Sequence, residues 1–146
     1  MIAYLDASAL VKRHVDEHWS RETLEFAARA EVVATSLVSR AEVAAALAKA
    51  VRVKLLKEDE AREAQRAFAT QWPDIVRIPV MEALVSRAET LAWDHGLRGY
   101  DAIQLASAVL FQESLGTAVR LVTFDIQLWD AARRAGLEPW PDKLAR

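Results

Sequence analysis

The sequence predicts an α/β fold: three layers, α/β/α, around a central parallel sheet of four to five strands. Three observations point there. Short apolar runs alternate with longer amphipathic stretches along the whole 146 residues. Two of the strand candidates run straight into an acid and a helix. Gly96, Gly116 and Gly136 each follow a helical pattern, where a left-handed residue ends a helix.

The elements follow in order. Residues 2–5 form a buried strand that opens through Asp6-Ala7-Ser8 into a helix. Residues 19–30 carry Trp19, Leu24, Phe26 and Ala27 among charges, with Ser20 as a cap, and read as a second helix. A strand over 31–35 precedes a long Ala-rich helix over 36–53, with Ser36 as its N-cap. Residues 57–71 are strong helix formers that stop before Pro73, because the residue before a proline resists the α conformation.

A third strand spans 75–79, and an amphipathic helix spans 81–95 with Leu84, Val85, Ala88, Leu91 and Ala92 on one side. The helix over 100–115 feeds a fourth strand over 120–124, then a helix over 125–135 and a short last strand over 137–140. Right-handed crossovers leave few topologies for that order. Two helices fill the gap between the third and fourth strands, and the earlier of them is expected to lie crosswise.

Composition sets the outer bounds. A 53% hydrophobic and 27% charged chain fills a core and stays in water, and with four Gly and four Pro spread singly it shows no linker. One domain over 1–146 is expected. Its start meets Asp6 without a basic lead, and its apolar stretches are interrupted by Glu42, Lys49, Asp101 or Gln104. No membrane segment is expected, and cysteine is absent, which excludes thiolate metal sites and fits the cytoplasm. At net charge −2, a nucleic acid has to be met locally, by a cation and a few basic side chains. Lys49, Arg52, Lys54 and Lys57 do cluster, although a solvated helix end explains them equally well.

Four acids draw attention. In a parallel sheet ligands bind beyond the carboxyl ends of the strands. Asp6 follows the first strand, Asp125 follows the fourth, Glu42 lies in the second turn of the helix leaving the second, and Asp101 is in the first turn of the helix that feeds the fourth. All four therefore converge on one rim. Asp6, Asp101 and Asp125 have a plain alternative as helix caps. Glu42 has less of one, since Val38, Ser39, Ala45 and Ala46 surround it at helical spacing and Lys49 is two turns away. Crowded carboxylates repel, and a hard divalent ion, Mg2+ or Mn2+, relieves them. His14 and His18 lack the pattern of a zinc-protease helix and read as surface; Trp19, Phe26 and Phe68 read as core.

The segments Tyr4-Leu5-Asp6-Ala7-Ser8-Ala9-Leu10, Ser39-Arg40-Ala41-Glu42-Val43, the Arg98–Ala108 run containing Tyr100-Asp101-Ala102, and Thr123-Phe124-Asp125 resemble the acidic motifs of PIN domains, above all those of VapC-type toxins. The likeness runs from residue 2 to about 140. It implies a magnesium- or manganese-dependent endoribonuclease acting on RNA such as tRNA or rRNA, leaving a 5′-phosphate and a 3′-hydroxyl. It also implies a homodimer and a VapB-type antitoxin that sets an arginine against the acids. Carried over by position, Asp6, Glu42, Asp101 and Asp125 are the catalytic and metal-binding acids, with Asp130 the other candidate for the fourth. Ser8 and Thr123 are the hydroxyls that hold waters or orient those acids.

Two rival readings remain. A haloacid-dehalogenase-type phosphatase also places an Asp after its first strand but wants another two residues on, where this chain has Ser8. The other is a PIN-like module that binds partners and cuts nothing.

Overall fold

The computed structural model describes residues 1–145. Five strands form one sheet: β1 (Ile2–Leu5), β2 (Val32–Ser36), β3 (Val76–Ile78), β4 (Val119–Val122) and β5 (Glu138–Trp140). Their order is β3-β2-β1-β4-β5, and every neighbouring pair is parallel. Helices α1 (Ala7–Lys12), α2 (Ser20–Ala28), α3 (Ser39–Arg52) and α4 (Glu58–Gln71) pack on one face, and α5 (Glu82–His95), α6 (Gly99–Leu115) and α7 (Ile126–Arg134) on the other. The expected three layers are present, with five strands.

Alternation along the central strand builds both cores. Ala3 and Leu5 point to the face carrying Leu10, Phe26, Val43 and Phe68, and Tyr4 points to the face carrying Leu91, Leu105, Leu121 and Leu128. Each Leu or Phe so buried contributes roughly 1.5–3 kcal/mol. Trp19, expected inside a helix, instead precedes α2 with φ 71 and packs against Phe124 and Trp140 at 6.1 and 5.9 Å. Phe26 and Phe68 are core, as expected.

Some expected boundaries move. The Ala-rich helix begins at Ser39 with Val38 at its N-cap, because β2 runs on to Ser36 and the Ser36 hydroxyl accepts from the Val38 N–H at 3.3 Å. Glu42 therefore lies in the first turn of α3 rather than the second. The helices α5 and α6 are joined through Gly96, whose φ of 61 supplies the left-handed turn, and Arg87 of α5 pairs with Glu113 of α6 at 2.8 Å. The three residues between β3 and α5 reach about 14 Å at most, less than the ~21 Å length of a 14-residue helix. Hence α5 starts close to the carboxyl end of β3 rather than from the far edge of the sheet, and packs against α6. Among the described residues, no helix is long and apolar enough to cross a membrane.

Candidate active site

Sheet order selects a place. From β1 the chain moves outward through β2 to β3, then returns to β4 on the other side of β1. The strands β1 and β4 thus bound the crevice where connections diverge, the position at which open α/β sheets take ligands. Asp6 leaves β1 there, and its N–H donates to the carbonyl of Val122 at the end of β4, at 3.1 Å.

Asp6 is buried and heavily hydrogen-bonded. Its Oδ1 accepts from the Ser8 hydroxyl at 2.7 Å and from the Ala9 N–H at 2.9 Å. Its Oδ2 accepts from the Thr123 hydroxyl at 2.5 Å. A carboxylate oxygen has two lone pairs, so Oδ1 is filled and Oδ2 retains one. Capping is therefore real at Asp6, where it ties α1, and it does not exhaust the group.

Asp125 follows the same pattern. It caps α7 through Oδ1, which accepts from the Leu128 N–H at 2.9 Å, and the residue as a whole is exposed. Glu42 is half-buried; its Oε1 accepts from the Gln104 amide at 2.7 Å, and no salt bridge reaches it among the described residues. Asp101 is half-buried in the first turn of α6, where the Arg98 N-cap offers no side-chain cap.

The four charges feel one another. Burial pushes the Asp6 carboxyl up to about 6, against its three hydrogen bonds, with Asp125 adding to the rise. Burial raises Glu42 as well, and Asp6 and Asp101 push it further against the Gln104 bond. Asp101 is raised by burial and by Asp125, while Arg98 opposes. Of the two candidates for a fourth acid, Asp125 is the one whose charge reaches both Asp6 and Asp101. Asp130 lies on α7, half-buried.

Among the described residues, no three His, Asp or Glu side chains already close on one point as a metal cage. The donor set still fits a hard dication. All four acids offer oxygen, magnesium uses only one or two carboxylates and keeps its waters, and three of the acids are held partly or wholly out of water, with neighbouring carboxylates adding to the rise that burial causes. His18 is exposed, but His14 departs from the expected surface role. It lies half-buried against Phe68 at 5.8 Å, with its pKa lowered to about 4 by burial and by Arg13.

Gln104 is the residue that sequence reasoning passed over. Fully buried on α6, it accepts from the Tyr4 hydroxyl at 2.6 Å and donates to Ser39 at 2.9 Å as well as to Glu42. Its one signal in the sequence was its place one turn after Asp101, inside an apolar helix.

A parallel sheet in this order, with acids at the switch between β1 and β4, defines the architecture of a carboxylate-centred α/β domain. The chain belongs to the PIN-domain family, whose model matches residues 3–134. It is 31% identical over 143 residues to ribonucleases VapC45 and VapC49 of Mycobacterium tuberculosis, covering 98% of this chain and 97% of each relative. Its fold is similar to a toxin–antitoxin complex from Klebsiella pneumoniae (TM-score 0.66, 19% identity, 98% of this chain and 99% of that one). The structure of VapBC2 from Rickettsia felis bound to a promoter DNA fragment is equally near (TM-score 0.66, 17% identity, 96% and 99%).

Proposed function

We propose that the chain, acting as one domain, is a metal-dependent endoribonuclease and the toxin of a toxin–antitoxin pair. The observation that carries this reading is Asp6 at the switch point, fixed by Ser8, Ala9 and Thr123, with its charge felt by Glu42 and with Asp125 beside it, both of which also interact with Asp101. The curated relatives named as VapC ribonucleases support it, and the toxin–antitoxin structures that share the fold agree with it.

Asp6 and Asp101 are the ligands we assign to Mg2+ or Mn2+, with Glu42 and Asp125 completing the centre. When bound, such an ion acidifies a water and offsets charge developing on phosphorus. The chain's own part is to hold the Asp6 carboxylate in place, Ser8 at Oδ1 and Thr123 at Oδ2, and to keep negative charge concentrated where the ion belongs. Arg98, exposed at the start of α6, stands beside Asp101 and is suited to a phosphate of the RNA. We take the substrate to be tRNA or rRNA and the working form to be a homodimer. An antitoxin arginine set against Asp6 and Asp101 would neutralise the rim and exclude the ion.

The test is cleavage of RNA by the purified chain with Mg2+ or Mn2+, then with chelator, then as Asp6→Asn. Cleavage is expected only in the first condition. Cutting that persists with chelator or in Asp6→Asn would end this reading. A chain that binds RNA but cuts none under any condition would be the binding module instead.

A further inference from the structure

Asp6, Asp125 and Glu42 are each gripped at one oxygen, and at Asp6 the Thr123 hydroxyl also bonds the other, which keeps one lone pair. In Asp6 and Asp125 backbone N–H groups do the gripping, helped by Ser8 at Asp6. Glu42 lies inside the first turn of α3 rather than at its cap, and its grip comes from another helix altogether.

The protons of that grip can be assigned one by one. The Thr35 hydroxyl has a single hydrogen and gives it to the Leu5 carbonyl at 2.6 Å. The 2.7 Å contact between Thr35 and Ser39 must then be donated by Ser39. Ser39, having spent its hydrogen, accepts from the Gln104 amide. The second amide hydrogen of Gln104 goes to Glu42, so the NH2 group is fully used. The Gln104 carbonyl accepts from Tyr4, whose hydroxyl is fully buried. Ser39, with no hydrogen left to give, and the Glu42 carboxylate, which only accepts, both require the NH2 side of the amide. They exclude the flipped form, which would aim an oxygen at Glu42, and Tyr4 completes the orientation by donating to the carbonyl.

We propose that Gln104 is a positioning residue of the site, an amide clamp, held in orientation by Ser39 and Tyr4, that fixes one oxygen of Glu42 and leaves the other for a metal ion or its waters. The choice of an amide has a physical reason. A lysine or arginine here would hold Glu42 equally firmly but cancel its charge, whereas a neutral donor keeps the carboxylate anionic and open to a cation. The clamp also ties α6, which carries Asp101, to α3, which carries Glu42, and through Tyr4 and Thr35 to the strand that ends at Asp6. This inference rests on the metal-dependent reading of the site, and its test separates the two.

Mn2+ binding is measured by calorimetry on the whole chain, on Gln104→Met and on Tyr4→Phe, alongside melting in chelator and steady-state cleavage of an RNA oligonucleotide. Gln104→Met keeps the length and removes the amide; Tyr4→Phe removes only the hydroxyl that orients it. Loss of partners that orient metal ligands weakens affinity about 10–100-fold. The expected result is a loss of that size for Gln104→Met and a smaller loss for Tyr4→Phe. The loss should fall on kcat, with KM for RNA little changed. In the unaltered chain the Gln104 side-chain amide protons should also exchange slowly by NMR, and faster in Tyr4→Phe. Should Gln104→Met fail to fold, Tyr4→Phe decides alone. Unchanged Mn2+ affinity in a folded variant overturns the clamp. An unaltered chain that takes up no Mn2+ overturns the metal reading and the clamp together.

Discussion

At the scale of single residues the site stores electrostatic tension, and its sign can be worked out. Asp6 has its pKa raised to about 6 from an ordinary value of 3.8. Between those values the folded chain holds a proton that the unfolded chain has lost, so stability falls as pH rises through that window. The shift corresponds to about 3 kcal/mol, present below pH 4 and lost by pH 7. Melting in chelator should show this as a falling Tm from pH 4 to pH 7, and Mn2+ should restore most of it at pH 7. Asp101→Asn is expected to abolish most cleavage while leaving the melt in chelator unchanged or slightly higher, because it removes one of the mutually repelling charges. A lower melt would mean that Asp101 is held by something favourable and that repulsion is not its main interaction.

At the scale of elements, helix caps and the proposed metal ligands coincide, and substitutions can separate them. Asp125 caps α7 through one oxygen, and asparagine caps as well as aspartate does. Asp125→Asn should therefore melt like the parent yet bind Mn2+ more weakly, while Asp125→Ala should lose about 1 kcal/mol of stability in addition. Calorimetry together with thermal melts checks both.

The acids at strand ends and helix starts were legible in the sequence because their position follows from topology alone: Asp6 after β1, Asp125 after β4. The alternation of strands and helices, and with it a parallel sheet, was legible in the same way, whereas the order β3-β2-β1-β4-β5 was not, since right-handed crossovers alone leave several topologies. The Gln104 clamp was not legible, since its partners Glu42 and Tyr4 are 62 and 100 residues away and only the folded chain brings them together. The start of α3 was misplaced for a local reason, because Ser36 completes β2 and braces the turn instead of capping the helix.

At the scale of the molecule, charge has to be reconciled with a polyanionic substrate. The chain carries −2 overall and concentrates acids at its rim. Two exposed arginines share one ring: Arg40 and Arg77 lie over Trp72 at 5.8 and 5.7 Å, and Arg77 also donates to the Trp72 carbonyl at 2.6 Å. Among the described residues neither has a carboxylate partner, so both are available to phosphates. Replacing both with alanine should weaken RNA binding across sequences and flatten its salt dependence by about one to two units of slope, as read from affinities at several salt concentrations.

The strand β1, which ends at Asp6, stands in the middle of the sheet, while Thr123, which grips Asp6, lies 117 residues further along the chain. A polypeptide emerging from the ribosome thus cannot complete the grip on Asp6 until β4 and the turn after it have been made. Copies that stop before β4 would lack both that grip and Asp125.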